Sequence, residues 1–455
     1  MPWGGVMGVE RLLRNLLLAG ALLLCAGIAS GGPLIERWQT ANGAKVLFVA
    51  APEIPMLDIQ VVFDAGSARD GDKPGITSFT NSLLSEGAGE WDANEVAARL
   101  EGVGAQLGSD SLRDMAWVSV RTLTEPKALA VTLKTLNKIL VAPRFDSQEV
   151  ERQRQSILAG LMQDEQSPGD VASKRLYQLV FGDHPYASDP AGTRESVQSI
   201  SRDEIVATHT GLYVARNALV AIVGAVDRPQ AEAIAEQVTA GLPTGEAAPP
   251  LPPVVPLQQA QVERIPFPST QTHLYVGQTG MRRGDKDYFP LYVGNHILGG
   301  SGLVSLLSEE VREKRGLSYS VYSYFLPMRR PGIFQLGLQT KNDQADEALT
   351  ILTDTLKRFV AEGPTEAELK AAKQNITGGF PLRIASNGKI AQYLAVIGFY
   401  DLPLDYLDRF TARVEAVTRE QIRDAFERRV DPRHLATVLV GRFDKPLVQV
   451  ESGTR

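Results

Sequence analysis

The chain has 455 residues, 44 % of them hydrophobic, and a formal net charge of −6. That length exceeds one ordinary domain, and the apolar content is enough to bury sizeable cores. The acidic balance and the lack of any basic run argue against a nucleic-acid partner, and 4 Trp, 12 Tyr and 15 Phe argue against bulk disorder.

At the amino terminus, Arg11 and Arg14 precede "NLLLAGALLLCAGIAS", which is too short to span a bilayer comfortably. Gly27-Ile28-Ala29 offers small residues at the −3 and −1 positions of a signal-peptidase site. Residues 1–30 therefore read as a secretory signal cut near Ala29, with an uncleaved anchor as the alternative. Leu24, before Cys25, is bulkier than lipid modification usually wants. Cys25 is the single cysteine, so the mature chain can form no disulfide and no thiolate metal site. The expectation is an exported, periplasmic protein with no stable membrane insertion after signal cleavage.

The mature chain divides at "PTGEAAPPLPPVVP", Pro243 to Pro256, where proline density predicts an extended linker. Residues 31–242 and 257–455 are two halves of roughly 200 residues, the usual domain size. They repeat each other. The strand "PMLDIQVVFDAGS" leads into "GDKPGITSFTNSLLSEG", and "TQTHLYVGQTG" leads into "GDKDYFPLYVGNHILGG". Gly71-Asp72-Lys73 matches Gly284-Asp285-Lys286, and Phe79 falls opposite Tyr292 at the same offset. "ALAVTLKTLNKIL" shares its helical period with "ALTILTDTLKRFV", and both halves close on an apolar strand, "NALVAIVGAVD" and "HLATVLVGRFD". This order predicts an α+β fold of two homologous α/β sandwich domains, each a mainly antiparallel sheet with helices on one face. Two unrelated α+β domains are the alternative.

Candidate chemistry is sparse. His184, His209, His273, His296 and His434 are the only histidines, and none pairs with another at i, i+3 or i+4, so no local two-histidine metal site exists. His184, in the loop "FGDHPYAS", reads as a hydrogen-bonding residue. In "SLLSEEVREKRGLSYSVYSYF", Leu303, Leu306, Leu307 and Val311 mark a helical apolar face, with Gly316 as its C-terminal cap. Alternation from Leu317 places Leu317, Tyr319 and Val321 on one side of a strand. The break at Gly316 lets a helix-borne Arg312 and a strand-borne Tyr319 converge; a surface ion pair of Arg312 with Glu309 or Glu313 is the plainer reading. Upstream, Gly299, Gly300 and Gly302 form a glycine cluster equally compatible with a strand–helix connection.

Taken in order, "NGAKVLFV", "FDAGSARDGDKPGITSF", "GVGAQLGSDSLRDMAWVSV", "FGDHPYASDPAGTRESV" and "NHILGGSG…REKRGLSYSV" resemble the pitrilysin/insulinase-type metallopeptidases, which include the mitochondrial processing peptidase, over nearly the whole mature chain. The resemblance implies that the two domains form one half of a clam shell. Active members carry H-x-x-E-H on the first long helix, two histidines on one helical face for Zn²⁺ and a glutamate as base. The matching positions here are Ser78, Asn81 and Ser82, and the family's later Glu-Glu pair falls opposite Ala159 and Gly160. These residues lack the needed donors, so the resemblance implies no metal and no cofactor in this chain.

The family's arginine and tyrosine, which hold the scissile carbonyl and stabilise its oxyanion, match Arg312 and Tyr319. Gly299, Gly300 and Gly302 resemble the glycine-rich loop of non-catalytic subunits, and Asp110 and Ser111 lie in the strand to which substrate peptides add, although they read equally as turn residues. The implied function is a non-catalytic subunit of a heterodimeric peptidase whose homologous partner supplies zinc. A purely structural or binding homologue is the alternative, and an independently active metalloenzyme is disfavoured by the histidine inventory.

Overall fold

The computed structural model describes residues 32–443. The signal segment, with Arg11, Arg14, Cys25 and Ala29, lies outside the described residues. Two sheets organise residues 35–443. The first contains β1 (Glu36–Gln39), β2 (Lys45–Ala50), β3 (Met56–Phe63), β4 (Gln106–Ser111), β5 (Ala116–Leu123) and β6 (Ala218–Gly224), in the order β1-β2-β6-β3-β5-β4. The second contains β7 (Gln261–Pro266), β8 (Gln271–Thr279), β9 (Val321–Phe325), β10 (Ile333–Lys341) and β11 (Ala436–Gly441), in the order β7-β11-β8-β10-β9.

Stripped of β1, the two orders are the same. Each sheet is antiparallel except for one parallel pair, β2 with β6 and β7 with β11. Gly71 and Gly284, the matched glycines ahead of each first helix, both adopt positive φ, 60° and 71°. The repeat in the sequence is thus a repeat in topology.

Each sheet carries its own half's helices on one face. Alternate residues of β3, Leu57, Ile59, Val61 and Phe63, pack with Phe79, Leu83, Leu136 and Ile139 from the first-half helices. The second-half core is built likewise from Leu336, Leu338, Leu352, Leu356 and Phe426. The other face is covered by a helix from the opposite half. Asn387–Phe399 lies across β2, β3 and β6, and Pro168–Phe181 lies across β8 and β11. This exchange explains why β6 and β11 are buried along their whole length, with apolar side chains on both faces. The approach is close: a Cβ on Gly398 would lie 2.6 Å from the Leu219 side chain.

The proline-rich stretch from Pro243 to Pro256 has no helix or strand, as its composition requires, yet it is docked. Arg69 donates to the Pro249 carbonyl at 2.6 Å, Arg330 to that of Leu251 at 2.7 Å, and His184 Nε2 lies 3.1 Å from that of Pro252. Next to this strap, Asp114 joins the halves. Its carboxylate accepts from Tyr186 at 2.5 Å, Tyr400 at 2.9 Å and the Arg329 backbone N–H at 2.6 Å.

Candidate functional site

The first matched helix, Ile76–Leu83, is anchored at its start by Asp70. That carboxylate accepts from the Gly75 N–H at 2.7 Å, the Thr77 N–H at 3.1 Å and the Thr77 hydroxyl at 2.7 Å. Burial pushes its pKa up to about 6 despite these donors. Asn81 is 2 % exposed. Its amide nitrogen donates to the Asp110 carbonyl at 3.0 Å, and its amide oxygen accepts from the Tyr213 hydroxyl at 3.0 Å. Ser82 returns its hydroxyl to the Phe79 carbonyl at 2.8 Å, and Ser78, one turn earlier on the same face, is half-buried. Ala159 and Gly160 are exposed on the neighbouring helix Ser147–Glu165.

This donor set does not fit zinc. Serine hydroxyls are weak ligands at neutral pH, alanine and glycine offer none, and both ends of the Asn81 amide are committed. Among the described residues no group of three or more His, Cys, Asp or Glu side chains could hold a metal ion. Three of the histidines are occupied locally: His184 Nδ1 accepts from the Tyr186 N–H at 3.1 Å, His209 Nε2 lies 2.9 Å from the Leu140 carbonyl, and His434 lies 3.2 Å from Asp431. His296 is shifted down by burial first and by Arg383 second.

Asp110 and Ser111 lie in strand, not in a turn: they end β4, an edge strand paired only with β5, and the turn follows at Leu112. The Asp110 carboxylate accepts from the Ser111 N–H at 2.8 Å. The bond to Asn81 ties this edge to the helix whose face carries Ser78 and Ser82.

Arg312 and Tyr319 do converge. Residues Ser308–Glu313 form a π-helical turn, a local widening of the helix often found at functional sites. Leu307 and Val311 are buried beneath it. Gly316, at φ 61°, closes the turn as expected: its N–H donates to the Arg312 carbonyl at 2.8 Å, and the Leu317 N–H to that of Val311 at 2.9 Å. The chain then doubles back, bringing the Arg312 guanidinium 4.8 Å from the centroid of the Tyr319 ring.

Glu310 decides which cation is presented. It accepts from Lys314 at 3.1 Å, Arg315 at 2.8 Å and Arg358 at 3.0 Å, and the Arg315 hydrogen bond above all holds its pKa down at about 2. Arg312 is left with Glu313 at 3.4 Å, a longer contact to an exposed carboxylate. No motif marked Glu310; its spacing of four before Lys314 was the available signal.

Two local expectations need correction. Tyr319 is not on the strand: β9 starts at Val321, and Tyr319 is 80 % exposed while Leu317 and Val321 are buried. The Leu317 carbonyl accepts from the Thr340 hydroxyl, and the Ser318 hydroxyl donates to the Ser320 carbonyl, so side chains replace the ladder there. Leu303 is not on the buried helical face either. It sits in the short turn Gly302–Val304 and is 64 % exposed.

The glycines differ in role. Gly299 is wedged, since a Cβ there would lie 2.5 Å from the Ser323 nitrogen, and a Cβ on Gly300 would lie 2.8 Å from the Asn295 amide nitrogen. Gly302 has φ 64° in open space. Its turn packs against Ser308–Glu313, the segment that carries Arg312. Asp110, Ser111 and Asn81 thus form one constellation in the first half, and Arg312, Tyr319 and Gly302 another in the second.

A duplicated α/β sandwich with a helix of the peptidase type but no metal donors defines the class. Residues 45–194 match the family model described as insulinase, peptidase family M16, and residues 199–376 match that described as peptidase M16 inactive domain. A crystal structure of a peptidase M16 inactive domain from Pseudomonas fluorescens is 38 % identical, with a TM-score of 0.88, covering 91 % of this chain and 99 % of that one. A non-peptidase homolog of Helicobacter pylori is 27 % identical over 90 % of this chain and 94 % of its own length. A protein of Streptomyces coelicolor described as an uncharacterized zinc protease is 27 % identical over 86 % of each chain. The chain belongs to peptidase family M16, and its inactive-domain and non-peptidase relatives are consistent with a non-catalytic member.

Proposed function

We propose that this chain is the non-catalytic subunit of a heterodimeric zinc metallopeptidase, active only with a homologous partner that carries H-x-x-E-H. The partner supplies the zinc and the base that activate water for peptide hydrolysis. This chain supplies Arg312 and Tyr319, two donors that need no change of protonation to meet an oxyanion. The observation that carries the reading is the pairing of Arg312 with an exposed Tyr319 while Glu310 holds the neighbouring cations. Asp110 and Ser111, on an edge strand, and the glycine turn at Gly302 are the proposed peptide contacts. We place the complex in the periplasm on the strength of residues 1–30.

A purely structural or binding role is the second reading. The Glu313 contact to Arg312 and the description of the Helicobacter pylori relative favour it. Reconstitution separates the two: purified chain and partner are assayed for peptide hydrolysis alone and mixed. Activity confined to the mixture supports the first reading, and a partner fully active alone supports the second.

A further inference from the structure

A cleft of about 590 Å³ opens where the helix Glu366–Arg383 turns into Asn387–Phe399, lined by Leu382, Arg383, Lys389, Gln392, Tyr393 and Val396. Its charged lining is of one sign. The groups that perturb Arg383 are, after burial, the Tyr292 and Tyr393 phenols, and Lys389 donates to the Leu382 carbonyl at 2.9 Å. Several other basic residues of this half, unlike these two, are matched to carboxylates: Glu310 takes Lys314, Arg315 and Arg358, while Asp285 and Asp287 take Arg428 and Arg429. The Tyr292 phenol, which is not part of the lining, lies against the same guanidinium. Leu382, 70 % exposed, joins Tyr393 and Val396 as an apolar wall.

Two cations without a carboxylate, beside an apolar wall in a cleft of peptide-binding size, suit an anionic group on an apolar chain. We propose that this cleft binds peptides through a carboxylate, either the C-terminus or an Asp or Glu side chain, with Arg383 and Lys389 on the anion and the adjoining apolar residue against Leu382, Tyr393 and Val396. The proposal rests on the reading that the chain handles peptides, and it adds which peptides and where.

Fluorescence anisotropy on the isolated chain tests it, with fluorescein-labelled Gly-Gly-Ala-Phe-Leu as the free acid, as its C-terminal amide, and as an amide ending in Glu. The free acid is expected to bind roughly tenfold more tightly than the amide. Arg383→Gln and Lys389→Gln should each erase that difference, with unchanged circular dichroism. Binding of the Glu amide like the free acid identifies a general carboxylate site; binding like the plain amide identifies a C-terminus site. Equal affinity of acid and amide for the wild-type chain, or an Arg383→Gln variant that still discriminates them, overturns the proposal. Because neither zinc nor partner is present, this result stands apart from the hydrolysis assay.

Discussion

The guanidinium of Arg312 lies 4.8 Å from the centroid of the Tyr319 ring, across a chain reversal made by Gly316 in the left-handed region. The pair is presented on a rigid base, because Glu310 fastens the cations that follow Arg312 and Val311 is buried below them. A preorganised donor pair of this kind does not reorganise when negative charge develops, which is what makes such donors effective.

Removing that base should be felt first as lost stability. Glu310→Gln leaves Arg315 and Arg358 without their carboxylate and Lys314 with Glu309 alone, and should cost about 1 kcal/mol, allowing for solvent screening of the partly exposed cations. Since the folded-state pKa is held at about 2, this contribution is present above the ordinary glutamate range and fades as pH falls toward 2. Urea unfolding of wild type and variant at pH 7 and pH 3 measures it. The gap should narrow at the lower pH.

Asp70 should behave in the opposite sense. Burial raises its folded pKa from 3.8 to about 6, so the native state holds a proton that the unfolded chain releases over that window. Stability due to this group therefore falls as pH rises from about 4 to 6, by on the order of 2–3 kcal/mol. Asp70→Asn removes the titration, and denaturation midpoints compared between pH 4.5 and 7 should show wild type losing more than the variant. Asp70→Ala, which also strips the acceptor from Gly75 and Thr77, should be less stable throughout by about 2 kcal/mol.

The glycine cluster yields a contrast. Gly299→Ala places a methyl group against the Ser323 backbone and should cost about 1–3 kcal/mol through overpacking. Gly302→Ala meets no atom and carries only the strain of positive φ, about 1–2 kcal/mol. Thermal melts distinguish them, and the Gly299 variant should also disturb β9, read by hydrogen exchange.

The helix Ile76–Leu83 keeps the geometry of a metal helix even though its side chains do not. Ser78 and Ser82 share one half-buried face one turn apart. Ser78→His combined with Ser82→His should therefore take up one equivalent of zinc by isothermal titration, while wild type takes up none at this helix.

Much of the architecture was legible in local signals. The Gly-Asp-Lys repeat and the apolar closing strands reported the duplication, and the glycine after Arg315 reported the reversal that joins Arg312 to Tyr319. The position of Tyr319 was not legible, because alternation of Leu317, Tyr319 and Val321 is the same pattern whether the backbone pairs with β10 or is held by the Thr340 and Ser318 hydroxyls. The exchanged helices left a trace only in β6 and β11, apolar throughout save Thr437, which periodicity cannot assign to a covering element. Arg383, Lys389 and Tyr393 come together only where two helices meet at a turn, so no motif could announce their cleft.

The account stands most directly on the rate of peptide hydrolysis by the partner complex assembled with Arg312→Ala in place of the wild-type chain. Loss of one oxyanion donor predicts a turnover lower by about 100-fold or more, with assembly by gel filtration and partner-bound zinc unchanged. Tyr319→Phe should fall in the same direction. A complex that assembles normally and cleaves at the wild-type rate with either variant would contradict the assignment.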